Sequence, residues 1–363
     1  MDLNKKKIIR LLSSGLIILG IIAIFFIYYL FASLKLSSNY LIEIPTGQPA
    51  TLIAQKLYTD KIIRSPKLFK LALIILNKDS KIQAGEYELL TNTSIFNLIK
   101  KISTGDVKKY SFRINEGETI SSIAARLKQE QKLRLIITDT LVNPSLFIKT
   151  ITEQKKFLNN NQDKLSLSIV DPEKVANLDG LLFPDTYFYK SQQADLELFS
   201  VAYMKLIATL NNLWEESIKI YPRDSAYFQA VNTPYQALIL ASILEKETAD
   251  NNERKIVSGV IYNRLLRNMP LQVDPTVIYS LGDKYKGNLT KEDLSYDSPY
   301  NTYINKSLPP GPIGTVSLGS LRAAINPTKH EYYYFVSKGD GTHFFSKTLE
   351  EHNAAVKLYQ KKV

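Results

Sequence analysis

No cysteine occurs anywhere in the 363 residues. Structural disulfides, thiolate zinc sites and a cysteine nucleophile are therefore excluded. Histidine is scarce: His330, His343 and His352 lack the spacing of metal ligands, and there is no H-E-x-x-H run. Each of the three reads as a structural or rim residue rather than a base. Also missing are a G-x-S-x-G elbow, an S-x-x-K pair and a G-K-[ST] phosphate loop. Neither a metal nor a cofactor is expected. Carboxylate chemistry survives these exclusions.

What is present begins with charge. The net charge is +11 and the sequence pI about 9.3, a balance that suits an acidic partner: nucleic acid, an anionic membrane surface or a cell-wall polymer. With 45% hydrophobic residues the chain can bury sizeable cores in two or three domains. Leu11 to Leu34 carries no charge, enough at about 1.5 Å per residue to cross a ~30 Å hydrocarbon core. Lys5, Lys6, Lys7 and Arg10 precede it, so the positive-inside rule keeps residues 1–10 as a cytoplasmic tail and exports the remainder. The run is too long for a cleaved signal peptide and no Ala-x-Ala site follows, so it reads as an uncleaved anchor over 11–34. Export argues against nucleic acid and leaves membrane or wall for the positive charge.

The exported part reads as α+β. Tyr40–Gly47 reads as a strand and turn, Ala50–Tyr58 and Pro66–Leu76 as helices, Gly85–Leu89 as a strand and Ser94–Ile102 as a helix. A repeat runs through it. Ile44, Gly47, Ile53, Ala54 and Leu57 recur as Ile114, Gly117, Ile123, Ala124 and Leu127, and Ser65-Pro66 is echoed by Asn143-Pro144. Copies over 41–76 and 111–150, within a region 40–155, resemble LysM-type glycan-binding modules, notably at Glu116-Gly-Glu-Thr-Ile120; a plain structural repeat fits as well. The polar run Asn159–Lys164 marks a boundary, and 165–363 reads as a second domain. There Leu178–Tyr189 gathers aromatics around a Pro-Asp turn. Long helices follow over Leu196–Tyr221 and Asn252–Arg267, a short one at Arg322–Asn326, a hairpin over Tyr332–Phe345 and a last helix over Leu349–Gln360.

Thr233 to Thr248 is the centre of this domain. Thr233 can cap a helix and Pro234 suits its first position. Ala237–Leu244 is apolar nearly all round, which marks a buried helix. Glu247 then continues the column Leu240, Ile243, Leu244, whereas Glu245 continues Leu238, Ala241 and Ser242, about 200° away at roughly 3.6 residues per turn. A carboxyl closing an apolar column loses hydration, which favours its neutral, proton-donating form. The alternative is a solvated last turn.

Beyond the helix, 271–314 reads as turn-rich loops carrying amides and aromatics between stiff prolines, groups suited to a sugar ring. Ala241–Ala249, Leu271–Tyr279, Tyr300–Tyr303, Leu308–Gly311 and Phe183–Thr186 together resemble the endolytic murein transglycosylases, from Tyr40 to the C-terminus and in the family's order. The resemblance implies a single-pass enzyme of the bacterial inner (cytoplasmic) membrane. It would have a cytoplasmic N-terminus, LysM-like modules and a periplasmic or extracytoplasmic catalytic domain built on a buried catalytic helix. It implies non-hydrolytic cleavage of the β-1,4 bond between N-acetylmuramic acid and N-acetylglucosamine, leaving a 1,6-anhydromuramyl end and trimming or terminating nascent strands. The partners implied are peptidoglycan strands, the membrane and wall-synthesis proteins. Glu247 falls on the family's catalytic acid. Gln272, Asp274, Thr276, Tyr300, Asn301, Tyr303, Pro309 and Gly311 are expected to line the substrate groove. Two other readings stand: a non-catalytic wall-binding scaffold, and a hydrolase using Asp274, Asp185 or Glu245 as second carboxylate.

Overall fold

The charged N-terminus and most of the uncharged run after it form one long helix, α1 (Asp2–Phe31), of which Lys6–Phe31 is long and apolar enough to cross a membrane. In this computed structural model the described residues are 2–136, 145–151, 175, 177–222 and 225–360. The helix stops at Phe31, three residues before the uncharged run ends. Leu30 and Leu34 turn instead into a protein core, and Leu34 N–H donates to Thr93 O at 2.7 Å.

That core belongs to a first unit, residues 1–110 with 189–192. Here β1 (Tyr40–Ile44) pairs antiparallel with β2 (Gly85–Leu89), in a register running from Tyr40 opposite Leu89 to Ile44 opposite Gly85. Between the strands lie α2 (Ala50–Thr59) and α3 (Pro66–Ile75), and α4 (Ile95–Thr104) follows. Ser65 and Ser94 cap α3 and α4, accepting from Leu68 N and Asn97 N, and Gly105 ends α4 in the left-handed conformation. Inward residues alternate along β1 and recur at helical spacing on α2 and α4, so Ile42, Ile44, Ile53, Leu57, Leu98 and Ile102 close one core around Phe69 and Tyr87.

The second unit comprises residues 111–188 and 193–363. Its first elements repeat the order just described. β3 (Lys109–Ile114) and α5 (Ile120–Leu127) are followed by helical residues 145–151 (α6), then β4 (Asp185–Lys190) and α7 (Asp195–Ile220). β3 pairs with β4, so the repeat extends further along the chain than the sequence suggested. The Pro-Asp segment there was read as a turn; Asp185 instead opens a strand that alternates Tyr187 and Tyr189 inward. The Asn143-Pro144 echo and the Asn159–Lys164 run lie outside the described residues.

The rest of this unit is organised around α9 (Pro234–Glu247), which follows a short α8 (Ala226–Ala230). Thr233 Oγ1 accepts from Gln236 N at 3.1 Å with Pro234 in the first turn, the start the sequence indicated. Every residue from Ala237 to Leu244 is buried, because α9 packs against α7, α10 (Asn251–Leu266), α11 (Asp274–Leu281) and α12 (Leu318–Ile325). The hairpin of β5 (Tyr334–Ser337) and β6 (His343–Ser346) and the closing helix α13 (Leu349–Tyr359) complete it. Two corrections apply. α11 replaces part of the expected loop, since Asp274-Pro275 is a helix start leading into Thr-Val-Ile-Tyr-Ser-Leu. α12 begins one turn earlier than expected, because Ser317 caps it by accepting from Ser320 N.

One latch ties the turn before α5 to the loop before α12. Gly117 N donates to Thr315 O and Thr315 N to Glu118 O, both at 2.9 Å. The Thr315 hydroxyl donates to Asn115 O at 2.6 Å and accepts from Glu118 N at 2.9 Å. Gly117 takes φ +70° here, a conformation in which side chains are strained. Thr315→Val keeps the shape but removes two hydrogen bonds, to the carbonyl of exposed Asn115 and from the amide of half-buried Glu118, so a loss of about 1 kcal/mol per bond is expected in urea unfolding. An unchanged midpoint would show the latch to be idle.

Candidate active site

Two glutamates leave the end of α9, and both are withdrawn from solvent. Glu245 accepts from Arg254 Nη2 at 3.2 Å, from Ser317 N at 2.8 Å and from the Ser317 hydroxyl. Its side chain and that of Arg254 are only 5% and 8% exposed, so this is a buried ion pair joining α9, α10 and the cap of α12. Glu247 is different. Its Oε2 is shut off from solvent and has no hydrogen-bond partner among the described residues. Lost hydration, then the nearby charge of Asp274, push its carboxyl up to about 7. The apolar column that the sequence placed before Glu247 is itself buried, with Leu240, Ile243 and Leu244 all shut off from solvent.

Glu247 opens on a cavity of about 420 Å³ shared with Arg264, Gln272, Asp274, Tyr303 and His343. Asp274 at the start of α11 accepts from the Tyr303 hydroxyl at 2.5 Å; burial first, and this bond next, hold the Tyr303 phenol well above its ordinary value. Gln272 sits at φ +54°, a strained position for a residue with a side chain, and its Oε1 accepts from Arg264 Nη1 at 3.1 Å. Arg264 is held through its Nε and Nη1. Its guanidinium donates to Tyr333 O (2.6 Å), Pro270 O (3.0 Å) and Leu271 O (2.8 Å), and lies 5.1 Å from the Tyr334 ring centroid. It thereby fixes the 270–272 loop against the hairpin. Across the cavity Glu253 clamps His343, accepting from its backbone N at 2.9 Å and lying 2.7 Å from its Nδ1.

Of the residues expected to line a groove, Gln272, Asp274 and Tyr303 share the Glu247 cavity. Thr276, Tyr300, Asn301, Pro309 and Gly311 are not among its walls, and the reasons are visible. Asn301 is fully buried: its Nδ2 donates to Leu294 O and Tyr296 O, and its Oδ1 accepts from Tyr303 N at 2.9 Å. Thr276 is spent on Val273 O and the Thr302 hydroxyl. Tyr300 lies 4.8 Å from Tyr279, with its hydroxyl over Gly311, where a Cβ would come within 2.9 Å; Pro309 is buried in the same loop. These residues shape the loops behind the cavity. Asp185 on β4, a candidate second carboxylate, is held by Lys205 of α7. Sequence reasoning missed Arg264, Glu253 and the place of His343. The Arg264 signal, an arginine following the apolar Val260-Ile261 stretch of α10, was available but has no fixed partner spacing.

Residues 42–358 match the YceG-like family. The chain belongs to that family. Among its YceG-like relatives, a Bacillus subtilis protein named endolytic murein transglycosylase is 34% identical over 321 residues, spanning 88% of this chain and 84% of the relative. A Streptococcus pneumoniae protein of the same name is 27% identical over 336 residues; the match covers 87% of this chain but 57% of that longer protein. A crystal structure of a yceG-like protein from Listeria monocytogenes, 30% identical, superposes with a TM-score of 0.56 over 88% of this chain and all of that one.

The two glutamates of this YceG-like chain are expected to respond oppositely to neutralisation. From about pH 4.5, the ordinary carboxyl value, to about pH 7 the folded state holds more protons at Glu247 than the unfolded chain does. Stability from this group therefore falls as pH rises through that window. Glu247→Gln is expected to raise stability by on the order of 2–3 kcal/mol at pH 8 and to leave it unchanged near pH 4. Glu245→Gln breaks the buried pair and is expected to cost about 3 kcal/mol at pH 8. Urea unfolding of both variants at pH 4 and 8 checks this, and a Glu247→Gln protein no more stable than wild type at pH 8 would contradict it.

Proposed function

We propose that this chain is a membrane-anchored endolytic murein transglycosylase in which Glu247 is the catalytic acid and then the base. The observation that carries the reading is the contrast at the end of α9. Glu245 is neutralised by Arg254, while Glu247 faces a cavity unpaired, with a carboxyl pushed up to about 7. Membership of the YceG-like family and the names of the relatives support the same reaction.

In that reaction the protonated Glu247 gives its proton to the leaving oxygen of the bond between N-acetylmuramic acid and N-acetylglucosamine. As a carboxylate it then takes the proton of the muramyl C6 hydroxyl, whose oxygen attacks C1 and closes the 1,6-anhydro ring. One carboxyl serves both steps, so a second carboxylate is unnecessary. Enclosure that keeps water from C1 favours ring closure over hydrolysis. Gln272, Asp274 and Tyr303 orient the sugar, and displacement of about 1 Å at such positions can cost on the order of a hundredfold in rate. Thr276, Tyr300, Asn301, Pro309 and Gly311 act by holding those three in place.

α1 is the anchor, with the basic N-terminus cytoplasmic and the catalytic unit outside the bacterial inner membrane, where it meets peptidoglycan and wall-synthesis proteins. The β-α-α-β order of both copies supports their reading as LysM-like modules. A hydrolase with Asp274 as second carboxylate is the competing reading, because Asp274 shares the cavity and its charge acts on Glu247.

Products separate the two. Digestion of purified glycan strands is expected to yield 1,6-anhydromuramyl ends by mass spectrometry; reducing ends alone would leave the hydrolase. Glu247→Gln is expected to abolish turnover while glycan binding persists. Because the reactive form is protonated, kcat/KM is expected to fall as pH rises through about 7. A rate that stays flat to pH 9 would remove Glu247 as the acid.

A further inference from the structure

The first unit contains a second cavity, far in character from the first. About 360 Å³ in volume, it is walled on one side by Phe25, Tyr28 and Tyr29 of α1 and on the other by Ile62, Ile63 and Leu68. Two cations stand at its rim, Lys35 and Arg64, both exposed and neither in an ion pair among the described residues. The adjoining helix α3 buries Phe69, Ala72 and Leu73 yet leaves Leu68, Leu71, Ile74 and Ile75 exposed, Ile74 and Ile75 by more than half. Positions 68, 71 and 75 share one helix face, so this is a stripe rather than scatter. Tyr29 OH donates to Ser65 O at 3.4 Å, which ties the start of α3 to the last turns of α1.

We propose that this cavity holds one phospholipid with an anionic headgroup, its acyl chain between α1 and Ile62–Leu68 and its phosphate at Lys35 and Arg64. The inference rests on α1 being the membrane anchor. Given that, depth follows from helix geometry: Phe25 lies about 9 Å below the end of α1 at roughly 1.5 Å per residue, the level where acyl chains meet headgroups. The cavity is continuous with the exposed apolar surface of α1, which hydrocarbon must cover. Its unpaired cations match a phosphate bearing net negative charge, and the stripe on α3 extends the same apolar contact. A water-soluble ligand would leave that stripe uncovered.

The full chain in nanodiscs of equal phosphatidylglycerol and phosphatidylcholine, released into detergent and weighed by native mass spectrometry, tests this. One phosphatidylglycerol per chain is expected to remain, in preference to phosphatidylcholine. The double variant Lys35→Gln/Arg64→Gln is expected to lower that retention about thirtyfold, from about fivefold per basic side chain. Lys67→Gln/Lys70→Gln removes equal charge from α3 outside the cavity and is expected to leave retention unchanged. Equal retention of both lipids, or no loss in the Lys35/Arg64 variant, overturns the site. Equal losses in the two double variants overturn it in favour of general surface charge. A chain that never enters the discs overturns the anchor reading and the lipid site together, whereas entry without lipid retention overturns the site alone.

Discussion

The ion pair between Glu245 and Arg254 is closed off from water on both sides, and much of the second unit leans on it. Its carboxylate gathers a guanidinium from α10 and the amide and hydroxyl of Ser317 that begin α12. A buried pair of this kind stabilises little relative to apolar packing, but removing one partner leaves an uncompensated charge. Its larger consequence is for its neighbour. Arg254 is committed to Glu245, and Arg264 is committed to three carbonyls and Gln272, so neither cation in the region is left to ionise Glu247. Burial and the charge of Asp274 hold the Glu247 carboxyl up, and neither guanidinium pairs with it.

The 270–272 loop continues the same logic. Gln272 adopts a positive φ because its amide is held by Thr302 O and its side chain by Arg264. Strain of this sort, of order 1–3 kcal/mol, persists only where neighbours overdetermine it. Asn301 supplies part of that determination from below, fastening 294, 296 and 303 into one piece. In the proposed reaction such a loop would meet the sugar already in shape.

Much of α9 was legible in the sequence: the Thr233-Pro234 start, the apolar run and the column ending in Glu247 all follow from local chemistry and helical spacing. The membrane-length helix and the first copy of the repeat were legible for the same reason. What escaped depends on partners distant in the chain. Nothing near Glu245 announces that Arg254 and Ser317 will bury it, and β4 becomes a strand only by pairing with β3, far upstream. Asn301 and Thr276 carry the polar groups of binding residues, and only tertiary contacts reveal that loop carbonyls and Thr302 consume them. Asp274-Pro275 held a helix start in plain view, hidden by the turn residues that follow it.

The wall opposite Glu247 has an unusual origin. Phe335, His343, His352, Val356 and Gln360 all border that cavity, and they come from the hairpin and the closing helix α13. The cavity on which Glu247 opens is thus walled in part by segments far downstream of the helix that carries it. A chain clipped before α13 would lose His352, Val356 and Gln360 from that wall while keeping α9 whole. The glutamate and its surroundings are separable pieces of one unit, joined only by folding.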